Sequence, residues 1–182
     1  MKPRFELFDK KKKQEFIQFL KEKYGFELSG NVLKQSQEKL RYFTGNLSEH
    51  ELNILAGTVR VETIGLYLAT IDEDASIRFS FDAGFLAKNA KKNVIELDDS
   101  EAKQWFKGDD ISLGLYGEAE QNETINPKPT SLNKSSTHTF IKLIDYPYVF
   151  LKFKNKIIGC GKLTSDKQKI LNFVPKERRI KY

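Results

Sequence analysis

The chain has one thiol, Cys160, and two imidazoles, His50 and His138. A nucleophilic thiolate needs a neighbouring base or a positive environment that lowers its pKa. Cys160 instead sits in the run Ile157-Ile-Gly-Cys-Gly-Lys-Leu163, whose β character predicts a buried and inert thiol. No Pro precedes it. Zinc sites take four N or S ligands at short spacing, which one Cys and two distant His do not supply. Carboxylates cluster at Asp98, Asp99 and Glu101, and again at Asp109 and Asp110. Paired acids can serve a hydrolase, but these border an amphipathic segment, where acids cap a helix and favour its positive end. There is no Gly-x-x-x-x-Gly-Lys-Ser/Thr, and Gly159-Cys-Gly161 lacks the strand-to-helix context of a dinucleotide cradle. The expectation is a non-enzyme that takes no metal and no cofactor.

Cations are the other chemistry on offer. The formal net charge is +6, and residues 145–182 carry ten Lys and Arg against three Asp and Glu, a net of +7. The whole excess therefore lies in the last segment, which points to a polyanionic partner by long-range attraction. Lys152, Lys154 and Lys156 recur at period two, and an extended chain continuing to Lys156 would set them on one side. Gly159 and Gly161 lack side chains at alternate positions, which would let a phosphate or ribose approach the backbone, with Lys162 completing the contact. A bulge that bends the strand accounts for the same glycines. Lys169 and Lys176 add charge, and Arg178 and Arg179 offer planar donors suited to phosphate oxygens. Lys10 to Lys13 read as a solvated lead-in to a helix, and Lys88, Lys91 and Lys92 would extend the basic patch.

Elements must position these groups. Residues 10–24 have the spacing of a helix with Phe16, Phe19 and Leu20 on one face, closed by Gly25. Residues 38–43 read as a strand. Ser48 and Glu51 form a capping-box pattern ahead of a short helix with Leu52 and Leu55. Residues 58–70 and 76–81 have strand character around the turn Asp72-Glu73-Asp74. A short helix is predicted over residues 82–92, with Phe85, Leu86 and Ala90 inward. The pattern resets at Asn93. A strand (93–97) leads to a helix (99–107) ended by Gly108, with Ala102, Trp105 and Phe106 as its apolar face, and a strand from Ile111. Residues 118–136 are polar and read as an exposed loop. Strands follow at 139–144, 148–153, 157–163 and 169–174, with Tyr146 and Tyr148 packed inward. At 182 residues with 39% hydrophobic content, one large or two small folded domains are expected. No stretch approaches the roughly 20 apolar residues of a membrane span. Without a secretory pattern, an intracellular, cytoplasmic setting is expected.

The second unit resembles a PUA domain, a small RNA-binding pseudo-barrel. The likeness rests on Asn93-Val-Ile-Glu-Leu with its helix and Lys107-Gly-Asp-Asp-Ile111, on residues 148–156, and on Ile157-Ile-Gly-Cys-Gly-Lys-Leu163. The ending Asn172-Phe-Val-Pro-Lys-Glu-Arg-Arg179 is similar to the close of the RNA-binding tail domain on Sun/Fmu-type RNA cytosine-5 methyltransferases. The first half resembles the pre-PUA domain of small ribosome-biogenesis factors. The resemblance implies an α+β chain: a small α/β pre-PUA-like domain over 1–92, then a PUA-like β-barrel over 93–182. It implies binding of rRNA or tRNA in ribosome biogenesis or RNA modification as an accessory factor, with an RNA methyltransferase or assembly protein as partner. The RNA-binding residues would be Lys152, Lys154, Lys156, Gly159, Gly161, Lys162, Lys169, Lys176, Arg178 and Arg179. A protein-docking module and a small RNA-modifying enzyme are the alternatives.

Overall fold

A computed structural model of the chain describes residues 5–113 and 146–181. They form a mixed α+β structure with two five-stranded sheets and three α-helices. The first sheet is an antiparallel meander, β1 (Glu6–Leu7), β2 (Asn31–Lys34), β3 (Lys39–Phe43), β4 (Leu66–Ile71) and β5 (Ile77–Phe79), in that order. Helix α1 (Lys10–Lys23) lies between β1 and β2, and α2 (Glu49–Thr58) between β3 and β4. The second sheet runs β6-β8-β9-β10-β7, with β6 (Val94–Glu96), β7 (Ile111–Ser112), β8 (Tyr148–Phe153), β9 (Lys156–Leu163) and β10 (Lys169–Leu171). Its β6–β8 pair is parallel and the rest antiparallel. Helix α3 (Asp99–Lys107) joins β6 to β7. Among the described residues this sheet is open, with β6 and β7 at its edges. The polar stretch 118–136 and the strand expected over 139–144 lie outside the described residues.

Local chemistry explains where the helices begin and end. Asp9 caps α1 by accepting from Lys12 N–H at 2.8 Å, and Gly25, at φ +70°, closes it with an N–H bond to Leu20 O at 3.0 Å. Ser48 with Glu51, and Asp98 with Glu101, form full capping boxes on α2 and α3. The first satisfies two amides and the second three that have no partner within the helix. Gly108, at φ +95°, takes the left-handed position that ends α3.

Strand β8 divides two cores. Tyr148 and Phe150 face a cluster with Phe16, Leu20, Tyr24, Phe26 and Phe79, while Val149 and Leu151 face one with Trp105, Ile111, Leu163 and Ile170. Burial on both faces explains why Tyr148–Leu151 is apolar without alternation. The first cluster draws on both halves of the chain. Tyr24 meets Phe150 edge-on at 5.0 Å and Phe79 at 5.2 Å, pairs worth about 0.5–1.5 kcal/mol each beyond area burial. Its hydroxyl donates to Tyr148 O at 3.1 Å.

Candidate nucleic-acid interface

The residues expected to contact a polyanion fall into three groups, with Lys162 apart from them. In the first, charge is already matched. Lys152 Nζ lies 3.7 Å from Glu96, and Lys154 Nζ 2.7 Å from Asp99 and 4.6 Å above the Phe153 ring. The hydrogen bond from Lys154, reinforced by its charge, holds the Asp99 carboxyl below its ordinary range. The expected single face of Lys152, Lys154 and Lys156 does not form. Lys154 and Asn155, at φ 46° and 64°, make a two-residue reversal, so β9 already starts at Lys156. Lys156 pairs with Phe153 and Lys152 with Ile157. Cross-strand partners share a face and successive residues alternate, so Lys156 and Lys152 point to opposite sides.

The second group packs the interior. The expectation that Gly159 and Gly161 open the backbone to phosphate is corrected by the buried indole of Trp105. A Cβ at Gly161 would lie 2.3 Å from Ile170 Cγ2 and 3.2 Å from the indole, and one at Gly159 would lie 3.1 Å from Trp105 Nε1. Gly159 also adopts φ +153° beside a β-bulge, where the register slips between Leu151 and Lys152. The bulge, with Trp105 filling the space, accounts for both glycines. Arg179, half-buried, packs against the same region. Its Nε donates to Val174 O at 3.1 Å, and its guanidinium lies where a Cβ on Gly108 would be, at the end of α3 that favours a cation. Asn172 Nδ2 donates to Trp105 O and Asp109 O at 2.8 and 2.9 Å, and Ile180 N–H to Phe106 O at 2.9 Å. The closing Asn-x-x-Pro-Lys-x-x-Arg pattern is thus a clasp on the end of α3. Cys160 is buried, and burial pushes its thiol up to about 12.

Lys162 faces an open cleft of about 620 Å³ lined by Glu38, Asp72, Glu73, Asp74 and Arg78. Its Nζ sits 5.4 Å from the Tyr148 ring centroid. Arg78 lies over Phe173 at 5.0 Å and 3.5 Å from Asp72, which also accepts from the Tyr148 hydroxyl. Four acids against two cations make this cleft unsuited to phosphate.

The third group reaches solvent: Lys156, Lys169, Lys176 and Arg178 are exposed. Arg178 Nη2 is 3.6 Å from Asp82, which anchors the tail to the residues ahead of α3. There the helix expected over 82–92 is a single tight turn, Asp82–Phe85, and Phe85 is 80% exposed rather than inward. Ala83, Gly84 and Ala87 supply the inward side, and a Cβ on Gly84 would lie 3.0 Å from Ile157. The small residues mark the contact with β9. That Ala-Gly pair is the signal by which the outward Phe85 could have been found. A separate apolar group is exposed around α2, formed by Leu47, Ile54, Leu55 and Val59.

Among the described residues no group of three or more His, Cys, Asp or Glu could hold a metal ion, and no helix is long and apolar enough to cross a membrane. No family model matches the chain, and no curated protein matches it in sequence.

Proposed function

We propose that the protein binds structured rRNA or tRNA as a non-catalytic accessory factor of ribosome biogenesis or RNA modification, through a PUA-like C-terminal unit. The supporting observation is the fixed basic tail. Asn172 and Ile180 bind it to α3, Arg179 packs against Gly108 at the end of that helix, and Arg178 lies beside Asp82. The backbone that carries Lys176 and Arg178 is therefore held against the body, with Lys156 and Lys169 exposed on the strands. A cation held in place binds phosphate without the ordering cost of a free tail. Lys152, Gly159, Gly161 and Arg179 support that surface rather than form it, while Lys154, exposed and paired with Asp99 as Arg178 is with Asp82, lies on it. An RNA methyltransferase or assembly factor is the partner in this reading.

The test is a salt titration of binding to tRNA and rRNA fragments, with the intact protein and with Lys156, Lys169, Lys176 and Arg178 all changed to Ala. Each lost phosphate contact should lower the slope of log K against log salt by about 0.7–0.9, with the thermal midpoint kept. An unchanged slope overturns the surface. Absence of binding at physiological salt overturns RNA binding and turns attention to the apolar group around α2 as a protein-docking surface.

A further inference from the structure

We infer that Phe85 is a stacking platform for an unpaired nucleobase, so that the RNA ligand presents a single-stranded loop, bulge or end at this place. This rests on the RNA-binding reading above and names the class of RNA.

The ring is exposed while the backbone that carries it is not free. Phe85 is 80% exposed, yet Ala83 and Ala87 beside it are 1% and 0% exposed. Ala83 N–H donates to Ser80 Oγ at 3.1 Å, Gly84 N–H to Phe81 O at 3.3 Å, and Leu86 N–H to Ala83 O at 3.0 Å. Gly84 rests on Ile157 of β9. Turning the ring inward would require breaking this turn, so the fold presents it to solvent.

Its surroundings are charged rather than apolar. Arg178 is tied to Asp82, three residues before the ring. Lys88, three residues after it, is exposed. A cation of the tail, paired with Asp82, and one of the turn segment thus lie three positions from the ring along the turn or through its ion pair. A base stacked on an aromatic side chain with its backbone phosphates on Lys and Arg is the arrangement that holds single strands. A duplex keeps its base faces covered by their neighbours and offers only edges, phosphates and 2′-hydroxyls. A protein hot spot would more often set such a ring among apolar neighbours.

The experiment compares Phe85→Ala and Phe85→Trp with the unmodified protein, using an unstructured oligouridine and a blunt RNA duplex of equal charge. Phe85→Ala should weaken oligouridine binding by about tenfold, within the range for loss of one stacked base. Duplex binding should change less than about twofold, the salt slope should stay the same, and Trp should restore affinity. Equal losses on both RNAs, or no loss on either, overturn the stacking role while leaving RNA binding intact. If the unmodified protein binds neither RNA, the underlying reading has failed and the platform with it.

Discussion

Gly161→Ala separates a packing glycine from a ligand-contacting one. The new Cβ would stand 2.3 Å from Ile170 Cγ2, 3.0 Å from Leu171 O and 3.2 Å from the Trp105 ring. Carbon atoms pack best at about 3.5–4.0 Å, so the overlap with Ile170 exceeds about 1 Å. Ile170 and Trp105 are both 0% exposed, which leaves movement of β10 away from β9 as the means of relief. Gly161 is outside the left-handed region, so the cost is steric. Overpacking of this kind costs about 1–3 kcal/mol, and the backbone contact with Leu171 places it at the upper end, about 2–3 kcal/mol. For a chain of this size that lowers the thermal midpoint by about 4–12 °C. Circular dichroism melts measure it, with RNA affinity read well below the transition. Ile170→Ala removes the clashing methyl and costs about 2–5 kcal/mol alone. Combined with Gly161→Ala, it should cost less than the sum. An unchanged midpoint together with at least tenfold weaker RNA binding would refute the packing account and restore the glycines to the interface.

Three further outcomes bear on the clasp and the core. Asn172→Ala leaves Trp105 O and Asp109 O without their shared donor and Val174 N–H without its acceptor. It should cost about 1–3 kcal/mol and speed proteolysis after Val174; a tail cut no faster than in the unmodified protein would argue against the clasp. Burial pushes the Cys160 thiol up to about 12 and the Tyr24 phenol well above its ordinary 10.0. A raised pKa contributes stability that is full below the unfolded value and lost as pH rises towards the folded one. The thermal midpoint should therefore be insensitive to these groups below about pH 8.5 and fall above it. Cys160 should react with a thiol reagent only on unfolding, and fast labelling of the native protein would contradict its burial.

Elements whose signals are local were legible in the sequence. Ser48 with Glu51, Asp98 with the acids after it, and Gly25 and Gly108 mark helix ends through bonds that span only a few residues. The inward places of Trp105 and Cys160 also follow from their segments. Features set by distant contacts were not legible. Strands β1 and β2 are only two and four residues long, too short to show a period, and each is defined by its partner. Residues 58–65 carry β-branched residues but lie outside any strand, since β4 begins at Leu66. The basic residues misled for a related reason. Composition counts Lys152 and Lys154 as unpaired charge, but Glu96 and Asp99 lie on β6 and α3, more than fifty positions away, and register alone brings them together. Likewise, no local pattern places Trp105 beside Gly159 and Gly161.

The contact of Tyr24 with β8 spans 124 residues, and it shapes how the chain is born. At translation speeds of about 5–20 residues per second, some seventy residues separate Ala87 from Cys160, so the first core waits about 4–15 s for its last members. Until the β8–β9 hairpin emerges, Tyr24, Phe26 and Phe79 have no Phe150 to pack against. Such late, long-range closure is the regime of slow folding and of dependence on chaperones. That hairpin acts as a keystone, and an interrupted nascent chain lacking it would display a sticky aromatic face.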